Sequence, residues 1–580
     1  MGKLLTFIDF EVFKYDWLCV ITNPIKKTET VIVNDPEKLK QFYEENKNTI
    51  YVGYNIRGYD TWVYKSILAG FNPYEMNEHI ITKNKKGHEF SSILRQYPLT
   101  IYDVAQFGAS LKQLEAMQGH SIYESDVDFR LDRKLTQAEI DETIKYCRND
   151  VEETMNVFLK VKSDFDVQLE LINEFNLPIS AISKTQTQLT AEILEAKRVN
   201  YNDDFNLNFP HYLDRIKKYK HIVDWFKGFK TDKAFTDEQK KEIYKQKLDI
   251  NVAGAPHTFA WGGLHGAILK YFGTGYYLHI DVSQYYPSLM VGHNYFSRAV
   301  SEEGKKRYNF MRKESIRLKA FPELKNKRAG YKLCNNKAYG AMKDIYNALC
   351  DPLMANNICV TGQLALLLLI EMLEPHCKLI QSNTDGLIVK LHNLDDYELI
   401  DDICYEWEYL TGVSLAFDPI ITKIYQKDVN NYLFVNEDDE VECKGAYVKS
   451  LGELDYDLPI VNKALKEFMV HGTPIETTIN NCDDLIEYQK IVKLSSKFKW
   501  VEHNGKTYTN KCYRVFASTD SADGTIYKCK DGKRDKFANT PVQCFMNNGD
   551  VRGMKVPAKL DKQYYINLAY ERLRQYGGAA

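Results

Sequence analysis

The sequence predicts an α/β and α+β multidomain protein. Three observations carry that expectation: 580 residues exceed what one hydrophobic core fills, the chain opens on a strand followed by a helix, and two later segments set an aspartate in or beside apolar strands. Hydrophobic residues make up 44% and charged residues 27%, ordinary for a globular chain, with a large aromatic share from 40 Tyr and 28 Phe. A net charge of -3 excludes a uniformly basic nucleic-acid binder but leaves room for basic grooves. The 12 cysteines are scattered from Cys19 to Cys544 without a CxxC pair, which argues against a zinc ribbon or secreted disulfide framework and for a reducing compartment. Early acidic residues argue against a signal peptide, and the longest apolar stretch, residues 365–373, is too short to span a bilayer. The expectation is a cytoplasmic protein with no membrane partner.

Residues 3–11, "KLLTFIDFE", read as a strand with Leu4, Thr6, Ile8 and Phe10 on one face and Leu5, Phe7, Asp9 and Glu11 on the other, so two carboxylates project side by side. Asp35 as N-cap, Pro36 at the first helical position, and Leu39, Phe42 and Tyr43 predict a helix in "NDPEKLKQFYEEN". A capping box, Thr136 with Glu139, and apolar residues at 140, 144, 147, 151, 155 and 158 predict a long amphipathic helix on which Tyr146 and Asp150 are stacked neighbours. Residues 166–255 read as helical, polar connecting structure without a chemical motif. A basic helical hairpin is expected over 303–345, broken near Pro322, and a strand, Asp-Gly turn and strand over 376–391. The last 130 residues mix helices with short hairpins and end in the helix "KQYYINLAYERLRQY".

Asp9 and Glu11 alone say little, because Asp-x-Glu recurs at 150–152, 396–398 and 438–440. Their context is more informative: "YNIRGYD" supplies Asn55, Tyr59 and Asp60, and "YCRND" supplies Tyr146 and Asp150. Four carboxylates converging in a low-dielectric site repel one another, so convergence implies cations, and oxygen-only ligands suit Mg²⁺ or Mn²⁺. Two such ions activate a water and stabilise a leaving phosphodiester oxygen. "DFE", "NIRGYD" and "YCRND" resemble the three exonuclease motifs of DnaQ-like, ribonuclease H-fold 3'-5' proofreading domains. The resemblance implies that Asp9, Glu11, Asp60 and Asp150 are metal ligands, that Tyr146 acts on the water, and that Asn55 and Tyr59 hold the strand end.

In "YYLHIDVSQYYPSLM" the apolar flanks predict a buried strand, where a lone Asp281 carboxylate costs on the order of several kcal/mol unless neutralised. Asp385, at the hairpin tip in "SNTDGLIV", is either its partner or an ordinary Asp-Gly turn residue. "KLCNNKAYG" sets Lys332, Asn336 and Tyr339 on one helix face. Together, and in this order, the three segments resemble motifs A, B and C of family B DNA polymerases, and the chain as a whole resembles a phage-type family B polymerase with an N-terminal exonuclease.

That resemblance implies a ribonuclease H-like exonuclease domain over 1–165, a connecting helical region over 166–254, and a right-hand polymerase: palm over 255–300 and 343–450, fingers over 301–342, thumb over 451–580. It implies two Mg²⁺ (or Mn²⁺) ions per active site, held in the second site by Asp281, Val282 and Asp385. Lys332 and Arg312 would meet the triphosphate, Tyr286 would exclude a 2'-hydroxyl, and Asn336 and Tyr339 would line the nascent base pair. Gly262 and Gly263 of "WGGLHG" would let backbone approach template; Lys427, Tyr432 and Lys444 would grip the primer. The expected function is template-directed primer extension with proofreading in phage DNA replication, by a monomer in the host bacterial cytoplasm that takes primer-template DNA, deoxynucleoside triphosphates and phage replication proteins as partners. Asn383 replaces the first acid of motif C, Gln284 replaces a common Ser, and Asn430 stands at the Lys position of the primer-gripping motif. Only 51 positions separate Asp281 from Lys332, too few for the insertion of protein-primed relatives. Two rivals remain: a nuclease whose polymerase half has decayed, with Asn383 as its sign, and a non-enzymatic DNA-binding accessory.

Overall fold

The computed structural model describes residues 5–105, 108–231 and 235–578; Lys3 and Leu4 of the expected first strand lie outside the described residues. The chain forms two compact units, each a mixture of helix and sheet. One comprises Met1–Lys184, Leu451–Ile460 and Asn480–Tyr565; the other comprises Thr185–Ser450, Val461–Ile479 and Ile566–Ala580. The segment 451–580 is therefore divided between the two.

In the first unit, β1 (Leu5–Val12), β2 (Trp17–Asn23), β3 (Thr28–Val33), β4 (Ile50–Gly53) and β5 (Thr100–Asp103) form a sheet in the order β3-β2-β1-β4-β5. β1 pairs antiparallel with β2 and parallel with β4. Ile8, Phe10 and Val12 pack one face of β1 into a core with Leu39, Tyr64 and Ile67. On the opposite face Phe7 meets Phe158 of the helix Gln137–Lys160 at 5.4 Å between ring centroids, which puts Asp9 and Glu11 beneath that same helix. Both sequence-predicted helix starts form: Asp35 accepts from the Lys38 N–H at 2.9 Å, and Thr136 and Glu139 close the capping box.

The second unit is built on ten strands: β6 (Leu248–Val252), β7 (Ala255–Phe259), β8 (His265–Ala267), β9 (Tyr271–Val282), β10 (Lys378–Asn383), β11 (Gly386–Lys390), β12 (Leu415–Phe417), β13 (Ile421–Asp428), β14 (Asn431–Asn436) and β15 (Val441–Lys444). Their order is β15-β14-β13-β9-β11-β10-β8-β7-β6, with β12 also on β9. The expected hairpin of helices is present as Glu302–Arg317 and Lys325–Met342, with the break at Pro322. The helix Pro352–Leu373 corrects the sequence reading: at 22 residues with a mean hydropathy of 1.8 it is long and apolar enough to cross a membrane, and 94% of its apolar window is buried inside the protein. Residues from Thr185 onward contribute to this unit's core rather than simply connecting. Phe205 meets Tyr244 and Trp261 at 5.1 and 4.8 Å, and Arg298 binds Asp203 and Asp351, each at 2.7 Å.

The C-terminal part of the first unit holds more sheet than the sequence led us to expect. β16 (Lys490–Lys493), β19 (Cys512–Ala517) and β22 (Cys544–Met546) form one sheet; β17 (Trp500–His503), β18 (Lys506–Tyr508), β20 (Tyr527–Lys530) and β21 (Lys533–Lys536) form another. Arg514, fully buried, fastens this part to the N-terminal residues by donating to the carbonyls of Ala116 and His120, both at 2.8 Å, and of Gly549 at 2.6 Å. Burial without a carboxylate partner pushes its guanidinium down to about 10.

Gly266 on β8 explains one small residue of "WGGLHG". A Cβ there would lie 2.1 Å from the ring of His257, itself buried and held between the Ala255 carbonyl and Ser382 Oγ, each at 2.8 Å. We expect Gly266→Ala to destabilise the second unit by about 1–3 kcal/mol through overpacking, read as an earlier thermal transition beside an unchanged one for the first unit.

Candidate active sites

The first site collects four carboxylates from three elements. Asp9 and Glu11 lie on β1, Asp60 opens the helix Asp60–Leu68, and Asp150 sits midway along Gln137–Lys160. Each is buried or nearly so. Burial, followed by the charges of Asp60 and Asp150, drives the Asp9 carboxyl far above the usual range; burial and then Asp9, Asp150 and Asp60 do the same to Glu11. Asp60, whose Oδ1 accepts from the Phe10 N–H at 3.2 Å, is pushed up to about 7 by burial. The acids are thus close enough to oppose one another's ionisation, as the sequence predicted. Tyr146 lies one turn from Asp150, its hydroxyl held up by burial and then by the charges of Asp150, Glu11 and Asp9.

Lys112 was missed in the sequence. It stands 2.5 Å from Asp150 Oδ1 and 3.1 Å from Glu115 Oε2, and its ammonium lies 4.8 Å from the centre of the Tyr146 ring. One ammonium does not balance four carboxylates, so the cluster fits hard divalent cations. Cys147 adds a softer donor: the reactive atoms of Asp9, Glu11 and Cys147 lie within 4.8 Å of one another, and its thiol is 3.4 Å from Asp9 Oδ2. Asn55 and Tyr59 flank the site on the loop after β4. Asp103, also unforeseen, shapes that loop by accepting from the N–H groups of Asn55 at 2.9 Å and Arg57 at 3.1 Å. Asn55 adopts φ 58°, its side chain exposed, whereas the Tyr59 hydroxyl donates to Asn77 at 2.8 Å.

The second site sits where β9 ends. Gly386 pairs with Asp281 across the β9–β11 ladder, which brings the neighbouring Asp385 beside it. The Val282 N–H donates to the Asp385 carbonyl at 2.7 Å, and the Thr384 N–H donates to the Leu264 carbonyl at 2.7 Å, so the hairpin tip is fastened from two sides. Gly263 belongs to this fastening: a Cβ on it would lie 2.5 Å from Thr384 Oγ1. Gly262 faces open space. Asp281 is half-buried and Asp385 exposed, a correction to the expected buried strand, because Asp281 points into a cavity of about 400 Å³. That cavity is lined by Asp281, Val282, Asp385, Tyr286, Lys332 and Asn336, with Asn335, Gln284 and Ser315 among the others.

Burial, then the Asp385 charge, pushes Asp281 up to about 6. Asp385 is raised by burial and lowered in part by Lys444 and His279. His279 shares the face of β9 that carries Asp281 and meets Asp418 at 2.8 Å; that period-2 spacing was the available signal for it, while Asp418 had none. Tyr286 and Tyr339 pack at 4.5 Å between ring centroids beside the exposed Lys332 and Asn336. Gln284, at φ 47°, turns the chain from β9 into the next helix and donates to Ser315 Oγ at 2.9 Å. Asn383 has its own partner: its amide donates to the Val429 carbonyl at 3.3 Å, which an ionised aspartate could not do.

Arg312, Tyr432 and Lys427 do not line this cavity. Arg312 donates to Ser288 Oγ at 2.9 Å and is not among the lining residues. Tyr432 is buried, stacked on Phe434 at 4.1 Å, with its hydroxyl donating to Glu442 at 2.9 Å. Lys427 lies over the Tyr447 ring at 5.0 Å.

No family model and no curated protein matches the sequence. Among solved structures the fold is similar to a family B DNA polymerase from the hyperthermophilic archaeon Pyrobaculum calidifontis, at 13% identity and a TM-score of 0.42, over 99% of this chain and 78% of that one.

The raised Asp281 carboxyl has a thermodynamic consequence. The folded state holds this proton more tightly than the unfolded chain, so in EDTA its contribution is favourable at low pH and is lost as pH rises from the ordinary carboxylate range through about 6. We expect Asp281→Asn to melt later than wild type at pH 7.5 in EDTA, with the difference vanishing near pH 4, and to show a smaller rise in melting temperature on addition of Mn²⁺.

Proposed function

We propose that this chain is a DNA-directed DNA polymerase with a 3'-5' exonuclease, a nucleotidyltransferase and a hydrolase in one polypeptide, serving phage DNA replication. The observation that carries the reading is the pair Asp281 and Asp385, each raised by burial, at the wall of a cavity that also presents Lys332, Asn336 and Tyr286. A phosphoryl-transfer site needs this combination: acids to hold cations, a cation for the triphosphate, and a flat ring for the sugar.

Divalent ions, Mg²⁺ or Mn²⁺ and two per site, would supply charge neutralisation and activation of the attacking oxygen. Asp281 and Asp385 with the Val282 backbone would hold them at the synthetic site. Asp9, Glu11, Asp60 and Asp150 would do so at the hydrolytic one. Lys332 would bind the triphosphate as a point charge, and Tyr286, braced by Tyr339, would leave no room for a ribose 2'-hydroxyl. Lys444, whose charge already reaches Asp385, is a better candidate for the primer phosphate than Lys427 or the buried Tyr432. At the hydrolytic site Tyr146 would orient the attacking water while Lys112 holds Asp150. In this reading residues 255–300 and 343–450 act as palm and 301–342 as fingers, and the partners are primer-template DNA and deoxynucleoside triphosphates. The donor role of Asn383 weakens the case for a decayed polymerase half.

Extension and trimming of one labelled primer separate the two activities. Asp385→Ala is expected to lose extension by more than about 100-fold and keep 3' trimming; Asp9→Ala is expected to do the reverse. A wild-type chain that trims but never extends with Mg²⁺ or Mn²⁺ leaves only the nuclease.

A further inference from the structure

The sulfur of Cys147 stands against carboxylate oxygens. Cys147, three residues before Asp150 on the helix Gln137–Lys160, is fully buried, and its Sγ lies 3.4 Å from both the Asp9 carbonyl and Asp9 Oδ2 on β1. Asp9, Glu11 and Cys147 each bring a ligand atom within 4.8 Å of the other two, and among the described residues they are the single group of three or more His, Cys, Asp or Glu that does so. Glu11 is only 9% exposed, yet its carboxylate accepts no hydrogen bond from any described residue, and Lys112 reaches it through charge alone.

One of these distances matches the edge of a tetrahedral metal site. With metal–sulfur and metal–oxygen bonds of about 2.3 and 2.0 Å, sulfur and oxygen on one ion are about 3.5 Å apart. Cys147 Sγ and Asp9 Oδ2 are 3.4 Å apart. A hard ion such as Mg²⁺ accounts for the unpartnered Glu11 but gains little from sulfur, whereas a softer ion with a filled d shell gains from all three groups. A thiol placed only for packing, or only to donate to the Asp9 carbonyl, needs no carboxylate oxygen beside it. The second site differs in this respect, for its cavity has neither cysteine nor methionine among the lining residues.

We propose that the first cluster binds a thiophilic divalent cation, Zn²⁺ or Cd²⁺, through Cys147 together with Asp9 and Glu11, and that the two acid clusters therefore differ in the ions they take. The thiol proton passes to the buffer as the sulfur–metal bond forms. The inference goes beyond the proposed function, which assigns hard ions to both sites, and rests on it only in reading this cluster as a cation site.

Ultraviolet titration of the full-length chain with CdCl₂ tests it, because a cadmium–thiolate bond has a charge-transfer band that carboxylate ligation lacks. One Cd²⁺ per chain is expected to produce the band, with Zn²⁺ displacing it and Mg²⁺ not. Cys147→Ser is expected to lose the band and to bind Cd²⁺ more than about 100-fold more weakly, since about 100-fold is the most that losing a mere outer-sphere partner costs. Its melting temperature is still expected to rise with Mn²⁺ as the wild type's does, which shows the acids in place. Asp9→Asn with Glu11→Gln is expected to weaken the band, and Asp385→Asn to leave it unchanged. No band in the wild type, the same band in Cys147→Ser, or a band that Asp385→Asn abolishes would overturn the proposal. If Cys147→Ser does not fold, an unchanged band in the Asp9→Asn, Glu11→Gln chain overturns it instead. A chain that shows the band yet neither extends nor trims a primer would sink the proposed function and leave this inference standing, and one that trims with Mg²⁺ but shows no band does the reverse.

Discussion

Repulsion between carboxylates held at the edge of water is the constraint around which this protein is arranged. Burial raises Asp9, Glu11, Asp60 and Asp150 above the ordinary carboxylate range, with the neighbouring acids adding to it at Asp9 and Glu11, and it raises Asp281, with the Asp385 charge adding to it. Left as they are, such clusters weaken the fold that contains them. They persist because rigid elements leave the side chains no escape. β1 is pinned between a helix on one face and an apolar core on the other, and the end of β9 is bonded directly to the hairpin tip it faces.

The two clusters meet the constraint differently. At the first, Lys112 sits among the acids and is held by Asp150 and Glu115 together, so part of the negative charge is already matched by the chain. At the second, the positive charge is further out: Lys444 acts on Asp385 from the neighbouring strands, and the His279 ring meets Asp418. The second cluster is also open to a cavity, whereas Asp60 and Asp150 are buried. Depth and local countercharge leave the first room for only small groups, and openness leaves the second room for a bulkier ligand.

How much of this could be read from the sequence depended on whether the signal was local. Alternation placed Asp9 and Glu11 on one strand face, a capping box located the helix of Asp150, and Asp-Gly marked the hairpin of Asp385. Lys112 escaped because its meaning lies 38 residues away at Asp150, and Asp418 because only the pairing of β12 with β9 gives it one. Gly263 was taken as room for a template, yet the atom that needs the room is Thr384. The strands after residue 490 are three to six residues long, too short for a period to stand out, and the helix Pro352–Leu373 was hidden because Asn356, Asn357, Thr361 and Gln363 interrupt its apolar run and are buried all the same.

The five points at which the chain passes from one unit to the other also bear on its biogenesis. Arg514 closes onto Ala116 and His120, so the unit that contains the N-terminal acids lacks part of its own interior until most of the polypeptide has emerged from the ribosome. Neither half can be completed as an independent bead on a string. A lineage carrying this arrangement cannot shed the unit that holds the four N-terminal acids by simple deletion of one end, and must disable that cluster, if at all, by changing single side chains.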